Sequence, residues 1–170
     1  MLLLWLATAV SFPIGGGAAY AVFGRVSDGA RGLGAGLVTG AVIGAAQWLV
    51  LRQAVPLSAM WIAATASGLS AGLALGVAVF GTGTELTGLL YRAACAGALV
   101  GILQGMVLRS HVPGSIWWVL VVAAGWMAAW AITRSVGVDL SKGWTVFGIS
   151  GAAVFALLSG LSLFWLLGRR

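Results

Sequence analysis

Gln47-Trp48-Leu49-Val50-Leu51-Arg52-Gln53-Ala54-Val55-Pro56-Leu57-Ser58 ends one apolar run and leads, at Trp61, into the next. The chain then repeats the phrase 57 residues later, as Gln104-Gly105-Met106-Val107-Leu108-Arg109-Ser110-His111-Val112-Pro113-Gly114-Ser115 followed by Trp118. Each copy closes on an arginine, turns near a proline and restarts on small and apolar residues, which is the junction of a helical hairpin. Internal repeats decide an architecture before local propensity does. Working outward, Trp5 pairs with Trp61 and Phe23-Gly24 with Phe80-Gly81, at offsets of 56 and 57, while Ala152, Ala156, Ser159 and Gly160 form a faint third copy. The expected fold is all-α, an integral membrane bundle of six transmembrane helices. It is built from three tandem two-helix hairpins, the third degenerate, and repeats of this kind pack around a pseudo-symmetry axis.

Composition sets the same frame. Of 170 residues, 61% are hydrophobic and 7% charged, and the mean hydropathy is +1.09. Apolar runs at 2–23, 32–51, 57–80, 86–108, 115–134 and 143–167 are each about as long as a bilayer core requires. They consume the chain, so residues 1–170 form a single transmembrane domain with no extramembrane domain. The start lacks a basic n-region and reads as a retained first helix. Soluble enzymes, soluble binding modules and nucleic-acid readers are excluded. The nine basic residues, against three acids, are dispersed at run ends as membrane-surface anchors and form no polyanion-binding cluster. Arg52, Arg109 and Arg92 are the clearest anchors, with Arg92 expected to reach back toward Glu85. Trp61 and Trp118 join them as members of an interfacial aromatic belt, together with Trp5, Trp48, Trp117 and Trp165. Both termini fall on one side, and the arginine ending each even helix, with Arg169 and Arg170, places that side in the cytoplasm. Turn chemistry adds expected helix starts at Pro56 and Pro113 and a cap at Thr84.

Small residues recur every fourth position. Gly32, Gly36, Gly40 and Gly44 do so in the second run, Gly68, Gly72 and Gly76 in the third, and Ala93, Gly97, Gly101 and Gly105 in the fourth. Lipid supplies no hydrophobic force between helices, so association rests on close backbone approach, and these stripes are expected contact faces. Gln47 and Gln104 continue the stripes and point inward, with Ser159 at the matching place, giving a candidate buried polar cluster. Pro13 with Gly15, Gly16 and Gly17 is a candidate helix break near the midplane, either a site or a bend that improves packing. Trp126 and Trp130 lie deep in the fifth run, facing lipid, a neighbouring helix or a flat ligand.

No nucleophile with a base, no paired carboxylates and no metal set can be assembled from one His, one Cys and three loop acids. His111 belongs to a turn and Lys142 to a loop. The expectation is therefore no enzyme, no cofactor and no metal.

The run Gly40 to Arg52, followed by Pro56, Trp61 and Gly68, resembles a pattern in small multi-spanning bacterial membrane proteins of uncharacterised activity. In them the Gln-Trp-Leu-Val-Leu-Arg stretch precedes further arginines and a Trp-Trp pair like Trp117-Trp118. The resemblance implies a bacterial cytoplasmic membrane and is silent on activity. The functional expectation is a polytopic protein acting through helix packing, as an oligomer or an accessory subunit of a membrane complex. Its partners are then the lipid bilayer and another protein or a second copy, not nucleic acid. The alternative is a small channel, transporter or carrier for a neutral or hydrophobic ligand.

Overall fold

The computed structural model describes residues 1–112 and 114–168. Six helices are each long and apolar enough to cross a membrane: α1 (Leu2–Phe23), α2 (Gly29–Leu51), α3 (Met60–Phe80), α4 (Leu86–Leu108), α5 (Trp117–Ser135) and α6 (Ile149–Leu167). Each packs on its neighbour in sequence, and α1 also packs on α6, so the six close into a ring. The chain is an all-α, integral membrane bundle. Ring closure is direct, with Leu2 and Trp5 of α1 lying against Gly160 of α6.

Glycine sets the spacing within the ring. A Cβ on Gly36 would stand 2.5 Å from the Ser70 Cα, and one on Gly40 2.6 Å from the Ala66 Cα, so the stripe on α2 lets α3 approach to backbone contact. Gly44 meets Thr65 and Ile62 of the same helix. The pattern moves on by one helix each time. Gly68 and Gly72 of α3 face Val100 and Ala96 of α4, with Gly76 over Arg92, while Gly97 and Gly101 of α4 face Ala123 and Val119 of α5, with Gly105 at the Ser115 carbonyl. All nine of these glycines therefore meet the next helix of their own chain.

Several boundaries differ from the sequence expectation. Helix α2 starts at Gly29 because the Asp28 carboxylate caps it, accepting from the Arg31 backbone N–H at 2.9 Å. That N–H and the Ser27 hydroxyl hold the Asp28 carboxyl below the usual aspartate range. Helix α3 starts at Met60, leaving Pro56 in the preceding loop, where Val55 and Leu57 turn inward and are buried. Glu85, not Thr84, occupies the cap position of α4. The expected helix start at Pro113 and the anchors Arg169 and Arg170 lie outside the described residues.

The first helix is not broken at Pro13. One turn of 3-10 geometry, Thr8–Val10, lies just before it, and helical structure resumes at Ser11. Proline removes the N–H that the Ala9 carbonyl would otherwise receive, so the strain falls on the turn preceding it. The hydroxyls of Thr8 and Ser11 bond back to the carbonyls of Trp5 and Thr8, each at 2.6 Å, a habit that bends helices. Gly15 then presses on Thr39 of α2, whose hydroxyl donates to the Gly15 carbonyl at 3.2 Å, and Gly16 meets Val146. The Pro-Gly segment thus packs on α2 through Gly15, while Pro13, Gly16 and Gly17 also border a groove of about 310 Å³ beside Val146 and Phe147.

The largest departure is at α6. Gln47 stands 18 residues beyond Gly29 and Gln104 18 beyond Leu86, but Ser159 only 10 beyond Ile149. Measured from this position, α6 thus starts about two turns later than its counterparts, roughly 12 Å at 1.5 Å per residue, although with 19 residues against 23 it is only four shorter overall. In place of the missing turns, a 3-10 turn at Leu140–Lys142 leads into a non-helical strap, and Thr145, Val146 and Phe147 of that strap are buried. Irregular backbone in a bundle of spanning helices is tolerated where protein covers it, and the middle of this strap is buried against the bundle.

Two glycines distinguish close packing from mere composition. Gly72→Ala is expected to lower the thermal midpoint in mild detergent, because the new methyl meets the Ala96 Cα at 2.5 Å, an overpacking cost of about 1–3 kcal/mol. Gly17→Ala, with nothing within 4 Å, is expected to raise it by removing a helical glycine, a gain of about 0.5–1 kcal/mol.

Candidate functional site

The centre of the ring is built from paired indoles and amides. In α3, Trp61 donates its Nε1–H to the Gln47 Oε1 of α2 at 3.3 Å. In α5, Trp118 donates to the Gln104 Oε1 of α4 at 2.9 Å. Both bonds join residues 14 apart in sequence. The remaining odd helix supplies Trp5, which donates to the Ser159 hydroxyl of α6 at 3.0 Å across a separation of 154 residues. Three odd helices thus bring a tryptophan and three even helices bring its acceptor.

The three pairs are joined at their core. Gln104 Nε2 donates to Gln47 Oε1 at 3.3 Å and to the Thr65 hydroxyl at 2.8 Å, and the Thr65 O–H in turn donates to the Trp61 carbonyl. The Trp118 ring lies 6.2 Å from Trp61 and 6.5 Å from Trp5, in tilted and edge-to-face arrangements that suit aromatic quadrupoles. Ser159 is bonded to the Trp5 indole and, as a donor, to the Phe155 carbonyl of its own helix. The structure therefore brings Gln47 and Gln104 into direct contact and connects Ser159 to them through tryptophan rings.

Trp61 and Trp118 are corrected by this geometry. Both are 0% exposed, and Trp5 is 1% exposed, so none of them stands in an interfacial belt. A belt tryptophan turns its N–H toward headgroups, whereas these turn it inward to a matched amide or hydroxyl. Trp117 and Trp165 are outward and half or more exposed. The sequence signal for this arrangement is the constant 14-residue step from Gln47 to Trp61 and from Gln104 to Trp118, with Trp5 standing 56 residues before Trp61.

A second aromatic layer fills the opposite half. Phe12 of α1 stacks on Phe147 of the strap at 5.1 Å, and Trp126 of α5 meets the same ring edge-to-face at 5.1 Å, with Trp130 at 6.0 Å. Trp126 and Trp130 thus face the bundle interior. Beside this layer two buried hydroxyls, Thr133 and Thr145, have no hydrogen-bond partner among the described residues.

Arg92 sits at the mouth of the bundle on the side away from the termini. Its guanidinium donates to the carbonyls of Gly81, at 2.8 Å, and Gly83 in the α3–α4 loop. The side chain reaches back toward Glu85 as expected, close enough to feel its charge, while its hydrogen bonds go to the carbonyls of the loop that folds over it. Arg134 ties the same loop by donating to the Thr84 carbonyl. A cavity of about 60 Å³ lies beside Arg92, bordered by Leu73, Trp130 and Trp144. Arg52 caps its own helix differently, lying 4.7 Å over the Trp48 ring, while Trp48 donates to the Leu57 carbonyl at 3.0 Å. Among the described residues no group of three His, Cys, Asp or Glu side chains is placed to hold a metal ion. No family model, no curated protein and no solved structure matches the chain.

The node predicts its own dependence. Trp118→Phe keeps the ring but strands the Gln104 carbonyl oxygen, and is expected to destabilise the bundle by about 1–3 kcal/mol in a denaturation series. Gln47→Leu combined with Gln104→Leu is expected to cost more than Trp118→Phe, since two indole N–H groups lose their acceptors. A double variant as stable as the parent would remove the structural role of the amides.

Proposed function

We propose that this chain is a non-enzymatic polytopic membrane protein that acts as a preformed packed unit, contributing its outer face to an oligomer or to a larger membrane complex. The observation that carries this is the filled centre. Three indoles with their amide and hydroxyl acceptors occupy one half, and Phe12, Trp126, Trp130, Phe147 and Phe155 occupy the other. Such a centre favours a rigid unit over a small channel, transporter or carrier for a neutral or hydrophobic ligand, which needs a path or a chamber.

The three tandem hairpins, the third degenerate, belong to the same proposal. Two tryptophan–glutamine bonds with equal sequence spacing, and a third tryptophan–hydroxyl bond that closes the ring, support it. The resemblance to small multi-spanning bacterial membrane proteins supports a cytoplasmic-membrane location, and arginines at the ends of α2 and α4 support termini on the cytoplasmic side. The glycine stripes are engaged between helices of one chain, so they are not the partner surface. Partner contact falls to the outer apolar face, where Leu120, Leu161 and Phe164 are at least half exposed.

Native mass spectrometry of the chain extracted gently from its own membrane tests the proposal. Discrete additional protein masses, lost on Leu161→Arg while the fold is retained, are the expected result. A bare single chain under every mild extraction would overturn assembly as the mode of action.

A further inference from the structure

The two copies of the repeated phrase differ where it matters for the surface. In the first, Trp48 fills the crevice between α2 and α3, bonds to the Leu57 carbonyl and supports Arg52 on its ring. In the second, the residue at the place of Trp48 is Gly105 and the one at the place of Leu57 is Gly114. The corresponding crevice between α4 and α5 is open, a groove of about 320 Å³ walled by Ile102, Met106, Ile116 and Val119, with Arg109 at its end. Arg109 has no ring to lie on. Among the described residues its guanidinium has no ion pair or hydrogen bond, its backbone N–H alone donating, to the Gly105 carbonyl.

A second groove, of about 600 Å³, runs on the other side of the same helix between α3 and α4, past Met60, Ala63 and Leu103, and it also ends at Arg109, with Ser58, Ser110 and His111 beside it. Met106 and Arg109 form the ridge shared by both grooves. All three acids of the chain, Asp28, Glu85 and Asp139, lie in the loops of the opposite side. No acidic side chain of this chain is therefore on the side of Arg109.

We propose that Arg109 and its two flanking grooves form a site for an anionic two-chain phospholipid, the phosphate on the Arg109 guanidinium and one acyl chain in each groove. The physical case is charge complementarity at the mouth and apolar walls at depth. Basic pockets between spanning helices select anionic headgroups in this way, and an arginine presents a fork that suits phosphate oxygens. The site differs from the outer face offered to a protein partner above, and it stands whether or not that partner exists. Arg52 is the internal control, because its charge is already held over Trp48.

The test is native mass spectrometry of the purified full chain in mild detergent, titrated in parallel with dioleoyl phosphatidylglycerol and dioleoyl phosphatidylcholine. The parent protein is expected to retain the anionic lipid about fivefold better than the neutral one. Arg109→Gln is expected to abolish that preference, and Arg52→Gln to leave it intact. Gly105→Trp, which fills the α4–α5 crevice as Trp48 fills its own, is expected to weaken both lipids; Arg109→Gln, at an exposed position, decides the matter if that variant does not fold. Equal retention of the two lipids, a preference that survives Arg109→Gln, displacement by inorganic phosphate alone, or a second protein chain in place of lipid would each overturn the proposal.

Discussion

In hydrocarbon two helices gain nothing from hiding apolar side chains, since lipid is as apolar as leucine, so how near their backbones can come governs what forms. Here that approach is set by an absent Cβ. Where Gly36 and Gly40 face Ser70 and Ala66, even one methyl has no room, and the same holds for Gly72 against Ala96. Backbone contact along one seam fixes the rotation of both helices about their axes. Rotation in turn determines which side chains face the centre. The inward position of Gln47, the position of Trp61 beside it and the filled interior all follow from the seam between α2 and α3, and the α3–α4 and α4–α5 seams repeat the argument.

Once the rotations are fixed, polarity has to be matched. A buried glutamine amide and a buried indole N–H are each costly alone in an apolar medium, and together they satisfy one another. The arrangement adds specificity to glycine packing, which by itself would tolerate sliding by one turn. A slip of α3 along α2 would separate Trp61 from Gln47. The hydrogen bonds thereby fix the register that the small residues allow.

The six spans, the hairpin junctions and the inward direction of Gln47 and Gln104 were legible because they depend on run length and four-residue spacing, which are local. The roles of Trp5, Trp61 and Trp118 were not. A tryptophan one turn inside a span has the same sequence surroundings whether it meets headgroups or the bundle core, and only the rotation of its helix separates Trp61 from Trp117. The late start of α6 was hidden for a related reason. Gly143-Trp144-Thr145-Val146-Phe147-Gly148 is a short apolar run, and periodicity does not tell a buried extended strap from the first turns of a helix. The Pro13 segment gave the right composition for a bend but not its place, since proline transmits its effect to the turn before it.

The bond between Trp5 and Ser159 spans 154 residues, nearly the whole chain, and so has an implication for biosynthesis. At a synthesis rate of about 5–20 residues per second, some 8–30 s separate the appearance of the indole from that of its acceptor. Throughout that interval the nascent bundle is an open arc. One edge exposes Trp5 with its N–H unmatched in the bilayer, and the other is whichever helix has emerged last. Packing on α2 holds α1 in place meanwhile, and α6, made after the other five, is the helix that completes α1.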